Sequence, residues 1–524
     1  MKTKIHQNSA ITTASIFLVA LLATVTATAQ PGTLDPSFSA DGKLTASLTT
    51  ANNTASAIAV QPDSKIIVAG SVVNTADADF GVTRYNPDGT LDLTFNTTGK
   101  ALADFNNTFD HCSGMVVQTD GKIVLGGYTD NGNGFDYALA RFNSNGTPDA
   151  TFGIGGKKTA HLGTTAFANA MALQADGKIL IAGFASGPSS NLLTVARFLT
   201  DGASDTDFGN GGKIMVPVGA DAAIANAIAV QPDQKIVVAG QVMNGALLHW
   251  ESLLSRFNPD GTPDVDFGEQ GHAVVQAPAK DYMVNAIAIQ PDGKIITAGV
   301  TSTSPATSKT TLARYLPDGT LDLGFAQDGI GIVSLGALAN QPKSVVLLEG
   351  KIIVGGSLKL GNADRFALAS FEMNGLPSTA FGDNGVTTTT VGLQDGINAI
   401  AVCPDGKIAA CGVSFSATVS QFAVARYHTE ASLSTRQDQI GNIECDVFPN
   451  PIDATSRLRF TLAEPENISV ILYDSFGRKI RQMADVQKSA GTHEINIGAE
   501  DLPAGVYFAV LSTTKTNQTL KLLK

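Results

Sequence analysis

One short stretch, Asn285 to Gly299 (NAIAIQPDGKIITAG), returns in recognisable form seven times along the chain. Ala286, Ala288 and Gln290 alternate with Ile287 and Ile289, the period of two expected of a strand. Pro291-Asp292-Gly293-Lys294 is a turn: proline presets φ, and Asp-Gly supplies the positive φ of a tight hairpin. Ile295 to Ala298 is an apolar return strand that Gly299 is expected to end. The turn lysines Lys65, Lys122, Lys178, Lys235, Lys294, Lys351 and Lys407 are spaced by 57, 56, 57, 59, 57 and 56 residues. So steady a period is the mark of a repeat architecture.

A second motif lies between these hairpins. One copy is Arg84-Tyr85-Asn86-Pro87-Asp88-Gly89-Thr90-Leu91-Asp92 with Phe95; others centre on Arg141, Arg197, Arg256, Arg314 and Arg426, and the sixth has Ser370 in place of Arg. Its Asp-Gly predicts a hairpin between a third and a fourth strand, so each unit supplies about four short strands, one propeller blade. The ends of the array are cut in a complementary way. Gly32 to Phe38 reads as a fourth strand without a third, and Ala425-Arg426-Tyr427 as a third without a fourth. The two fragments complete one blade, which predicts an all-β, seven-bladed β-propeller closed by its N-terminal strand, without open edges. A linear β-solenoid is the alternative and needs no such cut.

QPDGKIVVAG-like and RYNPDGTLDxxF-like copies over residues 31 to 430 resemble the delta-60 repeat family of bacterial surface and secreted proteins. The resemblance implies a repeat and not an activity.

Residues 1–29 read as a secretory signal peptide, with basic Lys2 and Lys4, an apolar centre from Ile16 to Leu22, and Ala27-Thr28-Ala29 as cleavage site. We expect the propeller over residues 30–430, a polar linker over 431–444, and a second domain over 445–524. In that domain Leu458/Phe460/Leu462, Ile468/Val470/Leu472, Val506/Phe508/Val510 and Leu520/Leu522 alternate, predicting a small Ig-like β-sandwich. The segment looks like the type A C-terminal sorting domain of the type IX secretion system of Bacteroidetes. The matching residues are Pro449, Asn450 and Pro451; Tyr473 and Asp474 before Gly477 and Arg478; Gly491 and His493; and Leu502 with Gly505, Val506, Tyr507 and Phe508. The resemblance implies export past the outer membrane by the type IX machinery, to a secreted or cell-surface location reached through the periplasm.

A net charge of −12 argues against nucleic acid or an anionic membrane as partner, since both need basic patches. No apolar run is long enough for a membrane span. Cys112, Cys403, Cys411 and Cys445 lack metal spacing and read as small buried hydrophobes. No histidine lies in a metal-ligand motif and there is no nucleophile elbow. The recurring Asp and Arg read as structural, the Arg bonded to the Asp of a nearby turn. Calcium at Asn86 to Asp92 is the one cofactor weighed. The copies with Leu199 and Leu316 at the first position offer no side-chain oxygen there, and an Asx turn explains the same Asp and Gly. Otherwise no cofactor is expected. The loop holding His249-Trp250-Glu251, with the sole Trp, is the place to look for a ligand. These features favour a monomeric binding, adhesion or scaffold module for an extracellular protein or glycan. A hydrolase or lyase with its site in the central channel is the alternative, and a passive spacer the third.

Overall fold

The computed structural model describes residues 30–74, 77–219, 222–276, 281–304, 307–335, 339–429, 445–449, 452–462, 464–474, 479–503, 505–513 and 517–524. The expected signal peptide and linker lie outside them. The chain divides into two compact units, Met1–Leu433 and Ser434–Lys524. Among the described residues every regular element is a strand.

The first unit is a propeller of seven four-stranded antiparallel sheets. Blade 1 comprises Asn53–Val60, Ile66–Val73, Ala78–Tyr85 and Lys100–Ala103. Blades 2 to 6 repeat this order over 110–160, 166–216, 223–275, 281–333 and 340–389. Blade 7 takes Gln394–Val402, Ile408–Phe415 and Ser420–Tyr427 from one end of the array and Lys43–Ala46 from the other. Lys43 pairs with Ala425 and Ala46 with Phe422. The first strand of each sheet lies against that of the next, and the seventh lies against the first.

The fourth strands differ from expectation. Gly32 to Phe38 is a turn that pairs with the third strand at a Leu34–Tyr427 bridge; the strand itself begins at Lys43. In blade 1, likewise, the Asp-Gly turn closes a Tyr85–Leu91 bridge, and a second turn follows before Lys100. The cause is side-chain commitment. Asp92 is held by Arg84, and Phe95 is fully buried in the core between blades 1 and 2, so the chain must fold back twice. Burying such a ring contributes roughly 1.5–3 kcal/mol.

Gly299 does not end its strand, which runs on as Ile295–Ser302. A register shift between Val284 and Ala286 bulges Asn285 out of the facing strand. A Cβ on Gly299 would overlap the Met283 carbonyl oxygen beside that bulge. The repeated glycine is therefore there for close backbone approach. At the hairpin, Gly293 has φ +82°, the left-handed conformation that tight turns need.

The cores lie between neighbouring sheets. Phe38, Ile66, Val68 and Tyr85 meet Cys403, Cys411, Phe422 and Val424 where blades 1 and 7 adjoin. Cys112 is fully buried between blades 1 and 2, and Cys445 is half-buried.

The second unit is a β-sandwich of a three-stranded and a four-stranded sheet. Leu458, Phe460 and Leu462 of the first sheet pack against Ile468, Val470 and Leu472 of the second. In Val506–Ser512 the inward set is Tyr507, Ala509 and Leu511, one residue out of step with the expected Val506/Phe508/Val510. Register decides this: Ala509 is paired with Leu472 and Leu511 with Val470, both on the core face.

Candidate functional site

The repeated charges form a lattice between blades. Arg84 Nε donates to Asp92 Oδ2 at 2.7 Å, and Lys65 Nζ lies 3.0 Å from the same oxygen. Arg84 also donates from Nη1 to the Ser144 carbonyl of blade 2 at 2.6 Å, with its guanidinium 4.8 Å from the Phe95 ring centroid. Arg141, Arg197, Arg256 and Arg314 reach Thr200, Pro259, Pro317 and Met373 of their next blades, and Arg426 reaches Pro87 of blade 1. Blade 6 breaks the pattern. Ser370 and Ser378 stand where the others carry Arg and Asp, and Lys351 pairs with Glu372 instead. At this interruption an open cleft of about 970 Å³ runs past Leu34, Pro377, Asp383 and the threonines of Val386–Thr389. Few charged groups converge on it.

The turn weighed for calcium has one oxygen of each Asp engaged by the residue two places on. Asp88 Oδ1 accepts from Thr90 N and Oγ1, and Asp92 Oδ1 from Thr94 N and Oγ1.

His249, Trp250 and Glu251 begin the strand His249–Phe257 and do not lie in a loop. Trp250 pairs with Met243 and its backbone N–H donates to Asp281 of the next blade; Glu251 accepts from Asn244 and lies 3.5 Å from His249 Nε2. All three are half-buried.

A different place concentrates aromatic side chains. At the end of the ring away from the first-to-second-strand hairpins, blades 2 and 3 carry Phe109, His111, Tyr128, Phe135, Phe167 and Phe184. His111 stacks on Tyr128 at 4.9 Å between ring centroids, Tyr128 meets Phe135 and Phe167 at 5.3 and 5.0 Å, and Phe167 stacks on Phe184 at 5.1 Å. Phe109 is 46% exposed and reaches Phe135; the other five are half-buried. His111 and Tyr128 are cross-strand partners, as are Phe167 and Phe184. In the other blades the same two positions hold Thr54 and Ser71, Ile224 and Gln241, Met283 and Val300, Gln341 and Ser357, Gly396 and Val413. Ser71 Oγ lies 3.2 Å from His111 Nδ1. Burial pushes the His111 ring below its ordinary value and the Tyr128 hydroxyl above its own. Beside the row, exposed His161 pairs with Asp136 at 2.7 Å, and Asn131 donates to the same carboxylate. Sequence reading missed this row because its members lie up to seventy-five residues apart; setting the repeats in columns makes the aromatic pair in blades 2 and 3 stand out.

In the sandwich, buried Tyr507 donates its hydroxyl to the Pro503 carbonyl at 2.7 Å, and Gly505 exchanges backbone hydrogen bonds with Lys524. Ser456 Oγ donates to the Pro449 carbonyl. Asp474 ends the strand Glu466–Asp474, paired with Tyr507. Asn450, Pro451, Gly477 and Arg478 lie outside the described residues.

Two family models match. A domain of unknown function, the DUF5122 beta-propeller, matches residues 61–95, 118–152, 174–208, 231–267, 290–325 and 403–433, and a secretion system C-terminal sorting domain matches 446–524. The chain carries DUF5122 propeller repeats and a type IX sorting domain. Blade 6, which lacks the Arg–Asp pair, falls between matched DUF5122 repeats. No curated protein matches. Among solved structures, PorZ, a surface component of the type IX secretion system of Porphyromonas gingivalis, aligns at 13% identity and TM-score 0.40 over 89% of this chain and 58% of its own. An inactive virginiamycin B lyase from Staphylococcus aureus aligns at 10% and 0.43 over 73% and 98%, and the polysaccharide lyase Uly1 at 12% and 0.42 over 72% and 90%. The chain thus spans a little over half of the PorZ structure. The sorting domain sends the DUF5122 propeller through the type IX secretion system to the cell surface or outside. Among the described residues no helix is long and apolar enough to cross a membrane.

Proposed function

We propose that the exported propeller is a glycan-binding module and that its ligand lies on the aromatic row of blades 2 and 3. The observation that carries this reading is the clustering of six partly exposed rings on one end of two blades, four of them (His111, Tyr128, Phe167 and Phe184) at a cross-strand pair of positions that is small, aliphatic or polar in the other five blades. Ring faces stack against the apolar faces of sugars, while the rim supplied by Asp136, His161 and Asn131 offers hydrogen-bond partners that fix orientation. Contiguous exposed apolar surface with a polar rim is what a soluble domain keeps for recognition.

The experiment is a glycan array probed with the full-length protein and with Phe109→Ala. Retention of a glycan class by the wild type, reduced in the variant, supports the reading. A blank array with capture of a protein partner moves it to a protein ligand. Glycan cleavage that is lost in His111→Ala replaces it with an enzymatic role at the inner strands.

A further inference from the structure

In blade 2 the strand Phe135–Phe142 carries Asp136, and the strand Lys157–Ala160 beside it is followed by His161; Nδ1 of His161 lies 2.7 Å from Asp136 Oδ1. Register places Asp79 and Asp104 at the equivalent positions of blade 1, because Asp79 pairs with Val72 as Asp136 pairs with Thr129, and Asp104 follows Ala103 as His161 follows Ala160. Where blade 2 sets an acid against a base, blade 1 sets two acids. Asp77 adds a third, and one carboxylate oxygen of each lies within 4.8 Å of the others.

The group is held together but not neutralised. The Asn74 amide donates to Asp77 Oδ1 at 2.5 Å and to Asp79 Oδ2 at 2.8 Å. Asp79 is only 5% exposed, and its Oδ1 has no hydrogen-bond partner. Lys157 directs its Nζ to the Asp104 backbone carbonyl and the Phe105 ring. Among the described residues no basic side chain forms an ion pair with any of the three carboxylates. A buried carboxylate oxygen with no hydrogen-bond partner, beside two more carboxylates and with Lys157 acting on it only through space, is not fully compensated.

We propose that Asp77, Asp79 and Asp104 bind a hard divalent cation, calcium by preference, between blade 1 and the loop leading to blade 2. A calcium ion held at about 2.3–2.6 Å from its ligands is shared by oxygens spaced as these are, and it tolerates an irregular set completed by water. The only other way to relieve the charge with these residues is a proton shared among the carboxyls, which responds to pH and not to calcium. The site is separate from the Asp-Gly turns, where Asp88 Oδ1 accepts from Thr90.

The test is calorimetric titration of the full-length protein, freed of metal with a chelator, with calcium chloride at pH 7, together with its melting temperature at each concentration. The expected result is saturable binding at one site and a melting temperature that rises with calcium. Asp79→Asn should weaken binding at least ten-fold. Asp104→His rebuilds the pairing of blade 2, and should abolish the calcium response while melting no lower than the metal-free wild type. Asp88→Asn, in an exposed turn, should leave the titration unchanged. No heat and no melting shift up to millimolar calcium would overturn the proposal, as would a response that persists in both Asp79→Asn and Asp104→His. A melting temperature that rises on mild acidification but not with calcium would assign the cluster to the shared proton.

Discussion

Arg426 donates from Nε to Oδ2 of Asp35 at 2.7 Å, across 391 residues of sequence. The same Asp35 oxygen lies 3.0 Å from Lys407, and Arg426 stands over the Phe38 ring. Within one blade this arrangement links residues of a single repeat, as Arg84 and Asp92 do; here it links the two ends of the array. Both charges are almost wholly buried, so each depends on the other.

Arg426→Ser should therefore cost about 3–5 kcal/mol, the usual result of stranding a buried charge. Blade 6 supplies the template for a milder change, since Ser370 and Ser378 replace both partners there. Asp35→Ser combined with Arg426→Ser should cost less than the two single changes summed, with a coupling of about 1–3 kcal/mol in a double-mutant cycle by urea unfolding. Additive costs would mean that the pair does not join the ends.

Gly240→Ala should destabilise the propeller by about 1–3 kcal/mol, because the added methyl would overlap the Ile224 carbonyl oxygen in the facing strand. Gly396→Ala is the control, as its methyl meets only Ser357 Cβ at 3.7 Å. Equal melting temperatures for the two variants would refute the close-approach role of the repeated glycine.

The all-β class, the propeller repeat and the sorting domain were legible in the sequence, because strand period and Asp-Gly turns are local. Non-local facts were not. Gly299 reads as a strand end until the bulge at Asn285 is seen opposite it. The fourth strand reads as Gly32 to Phe38 until Asp35 is found committed to Arg426. Tyr507 rather than Phe508 faces the core because of its pairing partners, which the alternation in that strand does not specify. His249, Trp250 and Glu251 stood out by rarity, whereas the aromatic row is built from common residues brought together by neighbouring blades.

Acid should weaken the propeller. Burial raises the Asp35 carboxyl, but hydrogen bonds from Ser37 and Lys407 and the Arg426 charge outweigh it and hold it well below its ordinary value of 3.8. Asp92 and Asp149 are held down in the same way by their own partners. A depressed carboxyl contributes stability that is present above its unfolded value and lost as pH falls through the folded one. Through these carboxyls the urea midpoint should fall steadily below about pH 4. Asp35→Asn should fall less steeply; identical slopes would contradict the assignment.

Removing residues 445–524 should leave the propeller folded and keep it off the surface. Cell fractionation in a Bacteroidetes host checks this, with protease accessibility of intact cells as readout. Surface delivery of the truncated protein at the full-length level would refute the sorting role.

The most direct measurement of the binding account is titration of the glycan class retained on the array against wild type, Phe109→Ala and Phe135→Ala, with melting temperatures recorded alongside. Each lost stacking contact should weaken binding about ten-fold, since roughly 1.4 kcal/mol corresponds to a factor of ten, while Phe109→Ala melts with the wild type. Unchanged affinity in both variants would contradict a ligand site on the aromatic row.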